Sequence, residues 1–195
     1  MVRRLIYIGI VISFLLMWMP ETSYCYAADS KTGQDNPVEL DWDYLTHVHF
    51  NDRYIDTGSL HILEKISEKN NRSVYRGITI TRPHGHIIDD NHQTQDSSAV
   101  GVGPVYMIRN EKQFSGKLYG AFDMSGGFIV YDKAFPAGGR CYNFMWRFGP
   151  RLIYKISEDS SVNIGYLFMH VSNGFRSHNP GYNARGVSLG FVTKF

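Results

Sequence analysis

Cysteine is nearly missing from this chain. Cys25 and Cys141 are the only two, and if the first departs with a leader, no disulfide can form within what remains. Charge of one sign is missing too. Twenty Lys and Arg stand against 18 Asp and Glu, giving a net charge of +2, and no basic block interrupts the chain, which argues against nucleic acid as a partner. Beyond the first 20 residues no apolar run is long enough for a helical membrane span, which needs roughly 20 such residues. That excludes a multi-helix membrane protein. The length suits one domain.

The beginning of the chain reads as an address. Arg3 and Arg4 precede an apolar run from Leu5 to Met19, and after Pro20 come Thr22, Ser23, Cys25, Ala27 and Ala28. This is the charged, apolar and small-residue succession of a secretory signal peptide. Cleavage is expected after Ala27, with Cys25 at the small minus-three position. Residues 1–27 are therefore read as a leader, 28–38 as a polar, flexible lead-in, and 39–195 as the folded domain.

What the domain does have is aromatic residues, 14% of the chain, and 19 glycines, at a mean hydropathy of -0.26. That combination fits a transmembrane β-barrel, whose residues alternate between lipid and interior and so never form a long apolar block. Parity supports it. From Tyr142 to Ile156 the even positions include Phe144, Trp146, Phe148, Leu152 and Tyr154, while the odd ones include Asn143, Arg147, Arg151 and Lys155, a period-two pattern with one apolar face. The same alternation recurs from Val100 to Ile108, from Leu118 to Val130 and from Val187 to the terminal Phe195. Weaker strands are expected at Leu40 to Phe50, Ser59 to Ile66, Ser73 to Thr81 and Val162 to Ser172. The fold class expected is all-β: an eight-stranded antiparallel transmembrane β-barrel preceded by a cleaved signal peptide. Short polar turns are expected at Ser67 to Arg72, Asn110 to Ser115 and Ser157 to Ser160, on the periplasmic rim. Longer external loops are expected at Pro83 to Ser98, Asp132 to Arg140 and Asn173 to Tyr182.

The stretch that carries chemistry is Tyr166 to Gly174 with Asn179-Pro180-Gly181-Tyr182-Asn183 after it. Side chains two apart in a strand point the same way, so His170 and Ser172, a possible base and a possible nucleophile, can meet without help from the tertiary fold. They share parity with Val162, Ile164, Tyr166 and Phe168, which puts them on the lipid-facing side. Leu167, Met169 and Val171 compete for that face. Asn183 shares parity with Val187, Leu189 and Phe191, and the hairpin returns it beside His170. An outward polar cluster costs free energy in lipid, which makes this one a functional candidate.

The block His170-Val171-Ser172-Asn173, the Asn179-Pro180-Gly181-Tyr182-Asn183 turn and the preceding Gly165-Tyr166-Leu167-Phe168 strand resemble the outer-membrane lipid A 3-O-deacylase family, acyloxyacyl hydrolase-like barrels. The likeness extends to Ala99-Val100-Gly101-Val102-Gly103-Pro104 and to the Cys141 to Ile156 strand. It implies a bacterial outer-membrane esterase, its active site facing the outer leaflet, that hydrolyses the 3-O-linked acyl chain of lipid A or lipopolysaccharide without a cofactor or metal. Ser172 would be the nucleophile and His170 its base. The oxyanion would be held by the Asn173 side chain and a backbone N–H of the loop that begins at Gly174. Phe175 stands where the family has a glycine. The third catalytic place, acidic in the family, is Asn183 here. A neutral amide can still accept a hydrogen bond from the histidine and set its tautomer, but it cannot stabilise an imidazolium by charge.

The alternative is a non-enzymatic small outer-membrane barrel with a structural or adhesion role, favoured if the pair turns inward. His84-Gly85-His86 with Asp89, Asp90 and His92 has ligand types suited to zinc, but is read as a solvated external loop. His47 and His49, alternating with Asp41 and Asp43, are read as interior polar packing. Arg147, Arg151, Lys155 and Asp123 are expected to form a charged network inside the barrel.

Overall fold

A computed structural model describes residues 36–48, 52–174 and 179–194. The expected leader, His49 and Phe195 lie outside the described residues. No helix among those residues is long and apolar enough to cross a membrane. Strands make up the fold: β1 (Val38–His47), β2 (Arg53–Lys69), β3 (Arg72–Ile88), β4 (Thr94–Asp96), β5 (Gly101–Ser115), β6 (Leu118–Phe135), β7 (Arg140–Lys155), β8 (Ser160–Ser172) and β9 (Tyr182–Thr193). All neighbours pair antiparallel, in the order β2-β1-β9-β8-β7-β6-β5-β3, and β2 pairs back onto β3 to close the ring. The short β4 is bonded only to β3, so the closed ring has eight strands, as the alternation predicts, with no free edge.

Alternation decides which side each residue meets. Trp42, Ile80, Val102, Phe128 and Ile164 are exposed on the outer wall, while polar and charged residues of opposite parity are buried within. The interior is an extended ion network. Arg109 donates from Nη1 and Nη2 to the two oxygens of Glu39, both at 2.8 Å, and from Nε to Asp123 at 2.7 Å. Arg151 donates to the second Asp123 oxygen at 2.6 Å, to Asp41 at 3.1 Å and to Ser188 at 3.0 Å. Arg147 pairs with Asp43, which also lies 3.1 Å from His61 Nε2. A barrel of eight strands has room for such side chains and for no open channel. Toward the long-loop end the filling turns aromatic: Phe135 packs on Tyr131 and edge-on against Tyr182, whose hydroxyl lies 3.1 Å from Thr57 Oγ1.

Several expectations are corrected. Lys155 is exposed beyond the interior, its ammonium 4.4 Å from the Tyr119 ring centroid. Asn110–Ser115 is not a turn; β5 continues through it and reverses at Gly116, whose φ of 46° suits glycine. The turn expected over Ser67 to Arg72 narrows to Asn70 and Asn71, both at positive φ, a two-residue hairpin of the kind asparagine tolerates. Pro83 to Ile88 belong to β3 and not to a loop, because β2 and β3 stay paired as far as Arg53 and Ile87. His84 and His86 are therefore strand residues, and the His86 ring stacks on Tyr54 at 5.0 Å. His47 is not interior: its side chain is 40% exposed and sits 2.8 Å from Asp56.

Candidate active site

The site grows out of the register of β7, β8 and β9. Leu167, Met169 and Val171 are buried inside the barrel, and Val162, Ile164, Tyr166 and Phe168 lie on the outer wall, so the parity conflict in β8 resolves with His170 and Ser172 pointing outward. His170 is exposed and Ser172 half-buried. In the pairing, His170 lies between Trp146 on β7 and Asn183 on β9, and Ser172 lies opposite Phe144. An aromatic residue thus stands beside each member of the pair.

His170 and Asn183 come together. Nδ1 of the histidine is 2.7 Å from Oδ1 of the amide. With that oxygen accepting, Nδ1 carries the proton and Nε2 keeps its lone pair free to accept one. Among the described residues no hydrogen bond joins Ser172 to His170, although both stand on the outward face of β8.

The predicted oxyanion residues are placed differently from each other. Asn173 has the opposite parity to Ser172 and is buried, and its backbone N–H donates to Asn179 Oδ1 at 3.1 Å. Asn179 returns a bond from Nδ2 to the Gly174 carbonyl at 2.8 Å, so one side chain clasps the end of β8. Gly174 adopts φ of 84°, a left-handed conformation that favours glycine.

Three residues not singled out for the site shape it from beneath. Gly181 lies against Ser172: a Cβ there would sit 2.7 Å from the Val171 carbonyl and 3.0 Å from Ser172 Cβ. Arg53 Nη1 donates to the Gly181 carbonyl at 2.7 Å, fastening the start of β9 to β2. Tyr182 anchors the residue before Asn183 in the aromatic plug. The Asn-Pro-Gly turn was a visible signal for the first of these. The arginine and tyrosine act across the barrel, where strand-local patterns carry no information.

The other polar cluster is occupied with its own turn. The Asp89 carboxylate accepts the N–H groups of Asn91 and Gln93, both at 2.9 Å, and the bond from Gln93 is the main cause that holds this carboxyl below its usual range.

The ring of eight strands, its apolar outer wall and its ionic interior define a β-barrel of the outer-membrane kind, carrying a histidine, a serine and an asparagine together on its outer surface. Among solved structures the chain is similar to the outer membrane enzyme PagL, with a TM-score of 0.55 at 15% identity, covering 82% of this chain and 99% of that one. At that identity the likeness is one of fold. No protein-family model and no curated protein matches the sequence.

Proposed function

We propose that this protein is an esterase of the bacterial outer membrane that removes the 3-O-linked acyl chain of lipid A, with its site facing the outer leaflet. The observation that carries the reading is the 2.7 Å contact between His170 Nδ1 and Asn183 Oδ1 on the same outward face as Ser172. The fold shared with an outer membrane enzyme supports the location. The resemblance of the His170 to Asn183 block supports the substrate.

Ser172 Oγ attacks the ester carbonyl of a lipid that arrives laterally, and its proton passes to His170 Nε2. The tetrahedral intermediate collapses as His170 returns that proton to the departing sugar oxygen, leaving the acyl group on Ser172. Water, deprotonated by the same imidazole, then releases the fatty acid and restores the serine. Asn183 keeps the imidazole in the tautomer that this cycle requires. Oxyanion stabilisation falls to a backbone N–H of the loop that begins at Gly174, because the Asn173 side chain is buried on the face opposite Ser172.

The amide leaves the transient imidazolium without a counter-charge. Asn183→Glu is therefore expected to raise turnover by about tenfold or more, part of the ~10⁴ that separates aspartate from asparagine in a serine-protease triad. Mass spectrometry of lipid A after incubating lipopolysaccharide with the detergent-refolded proteins measures it. No gain from the glutamate would count against Asn183 as the orienting group. In the same assay Gly181→Ala is expected to cut acyl release about tenfold or more, because its methyl must displace the strand that carries Ser172 and a small misplacement of reacting groups costs about 10² in rate. Undiminished activity would mean that Ser172 does not depend on this corner.

A further inference from the structure

Away from the His170–Ser172 pair, on the outer wall of β1, β2 and β3, the register stacks two rows. Tyr44, Gly58 and Arg82 form one, and Trp42, Leu60 and Ile80 the next. The middle of the first row is empty. A Cβ built on Gly58 would meet nothing within 4 Å, so packing does not require the glycine there, and its bare backbone floors a groove of about 660 Å³. Trp42, Leu60, Ile80 and Val100 line its apolar part, and Arg82 and His84 line its polar end.

The charge at that end is unbalanced. Arg76, exposed on the same strand, is neutralised by Glu64 at 3.0 Å, whereas Arg82 has no carboxylate partner among the described residues. Asp56, which pairs with His84 across the strands, already accepts both the backbone N–H and the Nδ1 of His47 at 2.8 Å. A lone guanidinium at the border of an apolar wall calls for an anion with several oxygens, as a phosphate has. The rings of Trp42 and Tyr44, 6.4 Å apart and inclined by 21°, offer flat amphipathic faces against which a sugar ring can lie.

We infer that this groove is a second binding site, distinct from the catalytic pair, for a phosphorylated and acylated glycolipid: its acyl chain on Leu60 and Ile80, its sugar beside Tyr44 and its phosphate on Arg82. The inference deepens the reading above, from which it takes the lipid class. The strand of the groove nearest the pair, β1, stands two strands from β8 in the ring, about 10 Å along the wall at ordinary strand spacing. The groove thus holds lipid without touching the reacting atoms.

The test is intact-complex mass spectrometry of the detergent-refolded Ser172→Ala protein mixed with a monophosphorylated diacylglucosamine, with its dephosphorylated form as comparison. One retained phosphorylated lipid is expected, with retention about tenfold lower for the dephosphorylated form. Arg82→Gln is expected to erase that difference, and Gly58→Leu, which fills the groove, to lower retention of both forms. Arg82 is exposed, so its variant remains informative even if Gly58→Leu does not refold. Retention unchanged by Arg82→Gln overturns the site, and so does displacement of the glycolipid by an equal amount of phosphatidylglycerol. Because Ser172→Ala can cut no ester, phosphate-dependent retention stands even where the parent proves not to deacylate. Deacylation by the parent without such retention would sink the groove alone.

Discussion

The Ser172→Ala protein, refolded in detergent and given lipopolysaccharide, is expected to leave the 3-linked acyl chain in place while the parent removes it, a loss of about 10⁴-fold or more in turnover. The size follows from chemistry that has no substitute nucleophile among the described strand neighbours of Ser172 on this face. The outward neighbours of Ser172 on β8 are His170 and Phe168, and its partner on β7 is Phe144. His170→Ala is expected to cost about as much, and the double variant little more, since base and nucleophile act as one unit. Neither change touches the interior, so both proteins are expected to keep the heat-modifiable electrophoretic mobility of a folded barrel. Acyl release by Ser172→Ala at the parent's rate would remove Ser172 from the mechanism. Silence from the parent and from Asn183→Glu alike would favour the non-enzymatic barrel.

The second large effect concerns folding. Arg109→Met is expected to destabilise the barrel by about 3–5 kcal/mol, the usual cost of stripping one partner from a buried ion pair. Arg109 is 1% exposed and holds both oxygens of Glu39 as well as both of Asp123. Asp123 would keep its bond from Arg151, and Glu39 would keep Asn163 at 2.9 Å, but the pair would carry an uncompensated charge. Urea unfolding in detergent, followed by electrophoretic mobility, measures the shift. Adding Glu39→Gln to Arg109→Met is expected to recover part of the loss. An unchanged midpoint in the single variant would mean that the network is not what holds the interior.

Parity made the barrel readable in advance. Tyr142 to Ile156 alternate so cleanly that β7 could hardly lie otherwise, and the same rule placed His170, Ser172 and Asn183 on one outward face. Strand ends were harder. Pro83 reads as the start of a loop, yet it stands in β3 beyond the last pairing of that strand with β5, at Thr81 and Gly101, where a missing N–H breaks no ladder bond. Asn110 to Ser115 read as a turn because they are polar, but that part of β5 extends past the apolar band, where polar strands are at home; Gly116 was the better marker. In the interior, Arg147, Arg151 and Asp123 were legible from the charged face they share with their neighbours. Arg109 and Glu39 were not, since each lies one residue from the edge of its alternating run and their value to each other depends on strands β1 and β5 meeting across the barrel.

That meeting has a consequence for assembly. Glu39 on the first strand is tied to Arg109 on β5 and Asn163 on β8, and Asp41 beside it to Arg151 on β7. Although β1 pairs along its length with β2, the carboxylates of Glu39 and Asp41 have no cationic partner until β5 and β7 are in position, and sliding any of these strands by one residue would turn its buried charges toward lipid. Closure of the ring and neutralisation of Glu39 and Asp41 thus depend on the same strands, so a half-built barrel leaves buried charge uncompensated just as a misaligned one does.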